Sequence, residues 1–151
     1  MPPVSPAPCC DIFEKFGGEE GRYVSNDHWV VQVRPRQSTL GASVLIARRH
    51  ALALSGLSAE ELASFGAAVD GLEARLRGAF GYDKINYLML MMVDPHLHFH
   101  VLPRYAASRS FGGFDWPDPG WPKRPELEAG TDDPRAVEAV RRALREGAAR
   151  S

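Results

Sequence analysis

Cysteine is nearly absent: the 151 residues hold two, Cys9 and Cys10, side by side. Adjacent cysteines define no disulfide framework, and a reducing, cytoplasmic setting is the expectation. Long apolar runs are also missing, so no stretch approaches the roughly 20 residues of a membrane span. The opening MPPVSPAPCC is proline-rich without an apolar segment, so a secretory signal is not expected and residues 1–20 read as a flexible arm. Charge of one sign is lacking too. A formal net charge of −1 supplies no basic field for a nucleic acid polymer, although one mononucleotide needs only a local site. Neither Cys-x-x-Cys nor His-Glu-x-x-His occurs, and no metal is expected. Histidine is scarce as well, with five in all. Three of them crowd into DPHLHFHVLPRY, at His96, His98 and His100.

The rest of the chain suits one domain with a sizeable core. HWVVQVRP, from His28 to Pro35, reads as a strand ended by proline. QSTLG is a turn pivoting on Gly41, and ASVLIARRH, Ala42 to His50, reads as a second strand able to pair with the first. SAEELASFGAAVDGLEARLRGAFG is the clearest helix. Ser58 and Glu61 form a capping box; Leu62, Phe65, Val69, Leu72 and Leu76 form an apolar face; Gly81 is the C-cap. Gly66 and Gly71 weaken this helix by about 1 kcal/mol each and are expected to permit close packing on a sheet. KINYLMLMMV, Lys84 to Val93, reads as a buried central strand. Asp94-Pro95 is a turn, and HLHFHVLP is another strand. FGGFDWPDPGWPKRP is too rich in Gly and Pro for a regular element, with Trp116 and Trp121 able to pin it to the body. A last helix starts at Asp133-Pro134 and carries Val137, Val140 and Leu144 on one stripe. The sum is an α+β fold, a mostly antiparallel sheet with one main helix packed on it and a C-terminal helix. Residues 21–108 form its body and 109–151 a C-terminal extension.

Side chains alternate across a strand, so His96, His98 and His100 share one face while Leu97, Phe99 and Val101 take the core face. Three readings are open. The first is a merely solvated polar face. The second is a metal site, but His96 and His100 stand about 13 Å apart, too far to share one ion. The third is covalent chemistry: a neutral imidazole attacks phosphorus, forming a labile phosphorus–nitrogen bond that splits one difficult displacement into two easier ones. The middle ring, His98, is then the nucleophile, with neighbours that donate hydrogen bonds or fix its tautomer.

His96-Leu97-His98-Phe99-His100-Val101-Leu102 resembles the signature of the histidine triad (HIT) family, three histidines alternating with apolar residues. HFHVLPR resembles the branch that hydrolyses dinucleoside polyphosphates, and LGASVLIARRH resembles the family's hairpin strand. The resemblance spans about residues 24–105. It implies a HIT-like fold with a five-stranded antiparallel sheet, usually as a homodimer. It implies a nucleotide bound by its α-phosphate and hydrolase or nucleotidyl transferase activity through a nucleotidyl-histidine intermediate, without a cofactor. His98 would be the nucleophile, His100 its support through a hydrogen bond to the strand, and His96 the contact to phosphate or leaving group.

Departures from the pattern qualify the expected substrate. The family's fourth histidine follows the hairpin glycine, and here that position is Ala42. The glutamine and serine that often precede the triad are Met92 and Val93. The ribose-binding acid or amide is replaced by Arg34. The family's zinc cysteine pair is reduced to Cys10, with Phe13 in the second place, and His50 aligns with a histidine that ligates zinc in some members. Asp94, Asn86 and Arg104, with Arg48 and Arg49, are further candidates for contact with phosphate or nucleotide, Asp94 also for orienting His96. A nucleotide-binding protein with diverged or lost catalysis is the competing expectation.

Overall fold

A computed structural model describes residues 11–149. The chain runs through a short helix α1 (Ile12–Lys15), strands β1 (Arg22–Ser25), β2 (Trp29–Val33) and β3 (Ser43–Ala47), and the long helix α2 (Ala59–Phe80). It continues through β4 (Lys84–Leu88), β5 (His98–Arg104), a small hairpin β6 (Arg109–Phe111) and β7 (Phe114–Trp116), and α3 (Pro134–Ala149). The main sheet has the order β1-β2-β3-β5-β4, and its pairs are antiparallel.

The β2–β3 hairpin forms as its sequence implies, with Val31 opposite Leu45. Its pivot has to be glycine. Gly41 adopts φ +89°, and a Cβ there would stand 2.9 Å from Leu76 Cδ2. Helix α2 begins at the expected capping box: Glu61 N–H donates to Ser58 Oγ (3.1 Å), and Ser58 N–H donates to Glu61 Oε1 (2.8 Å). It ends at Gly81 in the left-handed region, whose N–H reaches Arg77 O. The buried stripe is Glu61, Ala68, Leu72, Leu76 and Phe80, flanked by half-buried Phe65 and Val69. Leu62, expected on this face, is 54% exposed, because one residue of helix turns a side chain about 100° from its neighbour. The helix glycines are not sites of close approach. A Cβ on Gly66 would meet nothing, and one on Gly71 would only touch Val24 at 3.5 Å.

Helices α2 and α3 cover one face of the sheet. Trp29, Val31, Leu45, Leu97 and Val101 from the sheet join Leu72, Val140 and Leu144 in one cluster, so the segment read as an extension completes the main core. Trp116 is buried in it, as its role as a pin requires. The loop expected to be irregular opens with β6 and β7, which turn on Gly112 and Gly113, both at positive φ. Strand β4 is shorter than its apolar run implied, and it lies at the sheet edge rather than the centre. Its residues from Ile85 to Leu88 are only half-buried. Residues 11–20, read as part of the arm, also fold against the sheet, with Ile12 and Phe16 buried. They pack on the face away from α2, with Val30, Val44 and Ile46.

Candidate active site

That second face carries the histidines. Strand β5 pairs with β3 so that His98 lies opposite Ile46 and His100 opposite Val44. The intervening Leu97 and Val101 belong to the helix-side core, as alternation requires.

The His98 ring is held by its own strand: Nδ1 lies 2.7 Å from the backbone oxygen of His96. A carbonyl only accepts, so Nδ1 carries the proton and donates, and the lone pair of the neutral ring sits on Nε2. The His100 ring meets His98 edge-on at 5.1 Å between centroids. Its Nδ1 is buried and has no hydrogen-bond partner among the described residues, so the expected bond to the strand is not made through that atom. Burial, then the charge of Arg34, pushes the His100 pKa down to about 4, and the ring is neutral at pH 7. His96 is fully buried, and burial pulls its pKa down as well. Its Nε2 donates to Ala47 O at 2.6 Å, while its Nδ1 faces His50 Nδ1 at 3.5 Å. Both nitrogens therefore face protein groups, not the phosphate or leaving-group position implied for His96.

Two imidazole nitrogens 3.5 Å apart are half of a tetrahedral metal site. Among the described residues no third His, Cys, Asp or Glu joins them. Phe13, at the second zinc-cysteine position, lays its ring 5.6 Å from that of His96. Cys10, the other position of the family's zinc pair, lies outside the described residues.

The triad lies under a roof. The Phe16 ring is 5.9 Å from His98 and 5.5 Å from His100. Gln32 of β2 holds this roof, its Nε2 donating to Phe13 O (2.8 Å) and Phe16 O (3.0 Å). Lys15 adds an ion pair to Asp94 at 2.7 Å, so Asp94 ties the roof to the loop before β5. In this conformation His98 is 2% exposed. Sequence reasoning missed the roof because one helical turn has too few apolar residues to show a period.

Other candidates separate by position. Arg34 is on the triad side, buried, and within electrostatic reach of His100. Asn86 and Arg104 come together, but with each other: Arg104 Nη1 donates to Asn86 Oδ1 (2.7 Å), and its Nε and Nη2 form a two-pronged buried pair with Asp118. That knot sits about 20 Å along β5 from His98. Arg49 is bound to the buried carboxylate of Glu61, and Arg48 donates to Asn26 O and Ser25 Oγ. Met92 and Val93 point to solvent at 86% and 83% exposure, contributing no polar group. Ala42 is fully buried on β3's approach to the triad.

Comparison with known proteins accords with this arrangement. No curated protein matches the chain in sequence. Among solved structures, it is similar to a hypothetical histidine triad nucleotide-binding protein of Sulfolobus tokodaii, at 18% identity and TM-score 0.68, over 94% of this chain and 91% of that one. It is similar to a Hit-like protein involved in cell-cycle regulation from Bartonella henselae, at 17% identity and TM-score 0.64, over 91% and 92%. A zinc-bound histidine triad family protein of Mycobacterium smegmatis shares 18% identity and TM-score 0.56, over 86% and 87%. At such identities these likenesses establish the fold. The HIT domain family model matches residues 20–107, more than half of the chain, and on that match, with His98 and His100 on β5 and His96 just before it, the protein belongs to the HIT domain family.

Proposed function

We propose that the protein is a histidine-triad nucleotide hydrolase or nucleotidyl transferase, acting on nucleoside phosphates or dinucleoside polyphosphates. The observation that carries this reading is the His98 hydrogen bond to the oxygen of its own strand, which leaves Nε2 as the lone-pair nitrogen. Nε2 attacks the α-phosphorus, and the bond from phosphorus to the leaving oxygen or nitrogen breaks, its electron pair going to the departing group. The ring is then substituted at Nε2 and protonated at Nδ1, hence cationic. The carbonyl of His96 stabilises that charge, as an oriented acceptor does in other imidazole catalysts. Water attacks the phosphorus next, releases the nucleotide and returns the lone pair to Nε2. His100, neutral and edge-on, orients the ring. Attack requires the roof at Phe16 to open, since His98 is enclosed while it stays shut.

The test is turnover of an adenosine phosphoramidate and a diadenosine polyphosphate. His98→Ala should lower the rate by at least a thousandfold. A variant as fast as the wild type ends the mechanism.

A second reading, nucleotide binding without catalysis, draws on Ala42, on the unpaired Nδ1 of His100 and on the solvent-facing Met92 and Val93. Tight AMP binding without turnover across a substrate panel favours it. We also propose a cytoplasmic homodimer. Among the described residues strand β4 ends the sheet with an unpaired edge, and Leu90, Met92 and Val93 beyond it are exposed, a combination that invites a second copy. Among the described residues no helix is long and apolar enough to cross a membrane.

A further inference from the structure

Among the described residues, three buried polar atoms without hydrogen-bond partners belong to residues that the backbone brings close to Ala42. They are Arg34 Nε, Thr39 Oγ1 and His100 Nδ1. The sheet register brings their residues together. Arg34 N–H donates to Ala42 O across the β2–β3 hairpin, and Ala42 N–H donates to Thr39 O in its turn. Two residues further along β3, Val44 lies opposite His100. Strand spacing and rise place the Arg34 and His100 Cα atoms about 12 Å apart. Ala42 and Val44 are the β3 residues between them on this face, Ala42 with only a methyl, and the charge of Arg34 reaches His100, so a long side chain from one end and an imidazole from the other can converge on one small group.

Arg34 is a cation in need of a counterion. It is 9% exposed, and among the described residues no carboxylate stands within ion-pair distance of it. Burial weakens its hold on its proton, and Glu128, an exposed residue, offsets this only in part. Its Nη1 is fixed from one side by Ser38 Oγ, Leu127 O and Arg36 O, which leaves the Nε edge unused. A guanidinium clamped on one edge and free on the other is preorganised for an oxyanion. Phe16 covers His100 as well as His98, so the motion that opens the nucleophile also uncovers the His100 end of this spot.

We propose that Arg34, Thr39 and His100 form a second anion subsite beside the triad, which takes a phosphate of the bound nucleotide other than the one under attack. This rests on the nucleotide reading above and narrows it: the preferred substrate is a nucleotide with an additional phosphate, on its sugar or in its chain. Nε–H and the hydroxyl donate to the phosphate, and a neutral His100 donates through Nδ1 by taking the corresponding tautomer.

Calorimetry on the unaltered full-length protein tests it with AMP, ADP, adenosine 2′,5′-bisphosphate and adenosine 3′,5′-bisphosphate. At least one bisphosphorylated ligand should bind tenfold or more tightly than AMP. A gain with ADP places the extra phosphate in the chain; a gain with a sugar bisphosphate places it on the ribose. Arg34→Gln should bring the ratio of the two affinities to within about twofold, and Arg34→Lys should keep part of it. Equal affinities for all four ligands, or a preference that survives Arg34→Gln, overturn the proposal. The comparison among ligands decides even if the variants fail to fold. A protein that cleaves the phosphoramidate yet shows no preference sinks the subsite alone, whereas one that neither binds AMP nor cleaves sinks both readings.

Discussion

Mild acid should destabilise this protein from about pH 6.5 downward, with His100 as a principal cause. Its ring is held neutral, with a pKa pushed down to about 4, first by burial under Phe16 and then by Arg34. His98 and Lys15 act in the same direction, and Asp94 opposes them. In an unfolded chain the same ring titrates near 6.5. Between those two values the unfolded state binds a proton that the folded state refuses, so stability falls as pH falls. The loss begins at about pH 6.5, reaches about 2 kcal/mol at pH 5, and levels at about 3 kcal/mol once pH passes about 4. His96, also lowered by burial, adds to the same window. Glu61, held at about 2 by Arg49, acts lower: its contribution is complete above about pH 4.3 and fades as pH falls toward 2. Urea unfolding at intervals from pH 7.5 to 4.5, on the wild type and on His100→Asn, measures the effect. The variant should lose roughly one proton's worth of slope between pH 6.5 and 5. Equal slopes, or an NMR titration placing the His100 ring between 6 and 7, would refute the reasoning.

Asp118→Asn should cost about 3–5 kcal/mol, because it leaves the Arg104 guanidinium buried without its carboxylate; a lowered urea midpoint at an unchanged m-value checks this. Phe16→Ala should remove about 3 kcal/mol of packing and speed modification of His98 by diethyl pyrocarbonate, followed by peptide mapping. If modification is no faster, Phe16 is not what encloses the ring. Light scattering should give twice the chain mass, and Met92→Asp with Val93→Asp, which put charge into the exposed patch beyond β4, should shift it toward one chain mass. A wild type of one chain mass throughout the micromolar range removes the dimer.

What the sequence disclosed was local. The Ser58–Glu61 box, Gly41, Gly81 and the proline opening α3 are signals read by the backbone within four residues, and they hold in the structure. The alternation around His98 likewise put the imidazoles and the core residues on opposite faces. Partners distant in the chain were not legible. Arg104 resembled a phosphate ligand because nothing near it announces Asp118, which arrives from a loop dominated by Gly and Pro. The apolar run in β4 does not reveal whether a strand has one neighbour or two, since edge and centre differ in pairing rather than in hydropathy. Leu62 fell outside the helix face because the sheet, and not the helix, decides where the stripe is centred. Arg34 was visible as a departure from pattern, yet its unpaired edge appears only when β2, β3 and β5 are laid side by side.

The register of β3 on β5 has one more implication. Leu97 and Val101 are locked in the helix-side core, and their neighbours in sequence bear the imidazoles. A slip by a single residue would drive three histidines into the oil and turn Phe99 onto the face the histidines now occupy. The His98 ring thus inherits its aim from the packing behind it. Trimming Leu97 or Leu45 should therefore disturb the proposed turnover from the far side of the sheet, without altering any atom on the histidine face.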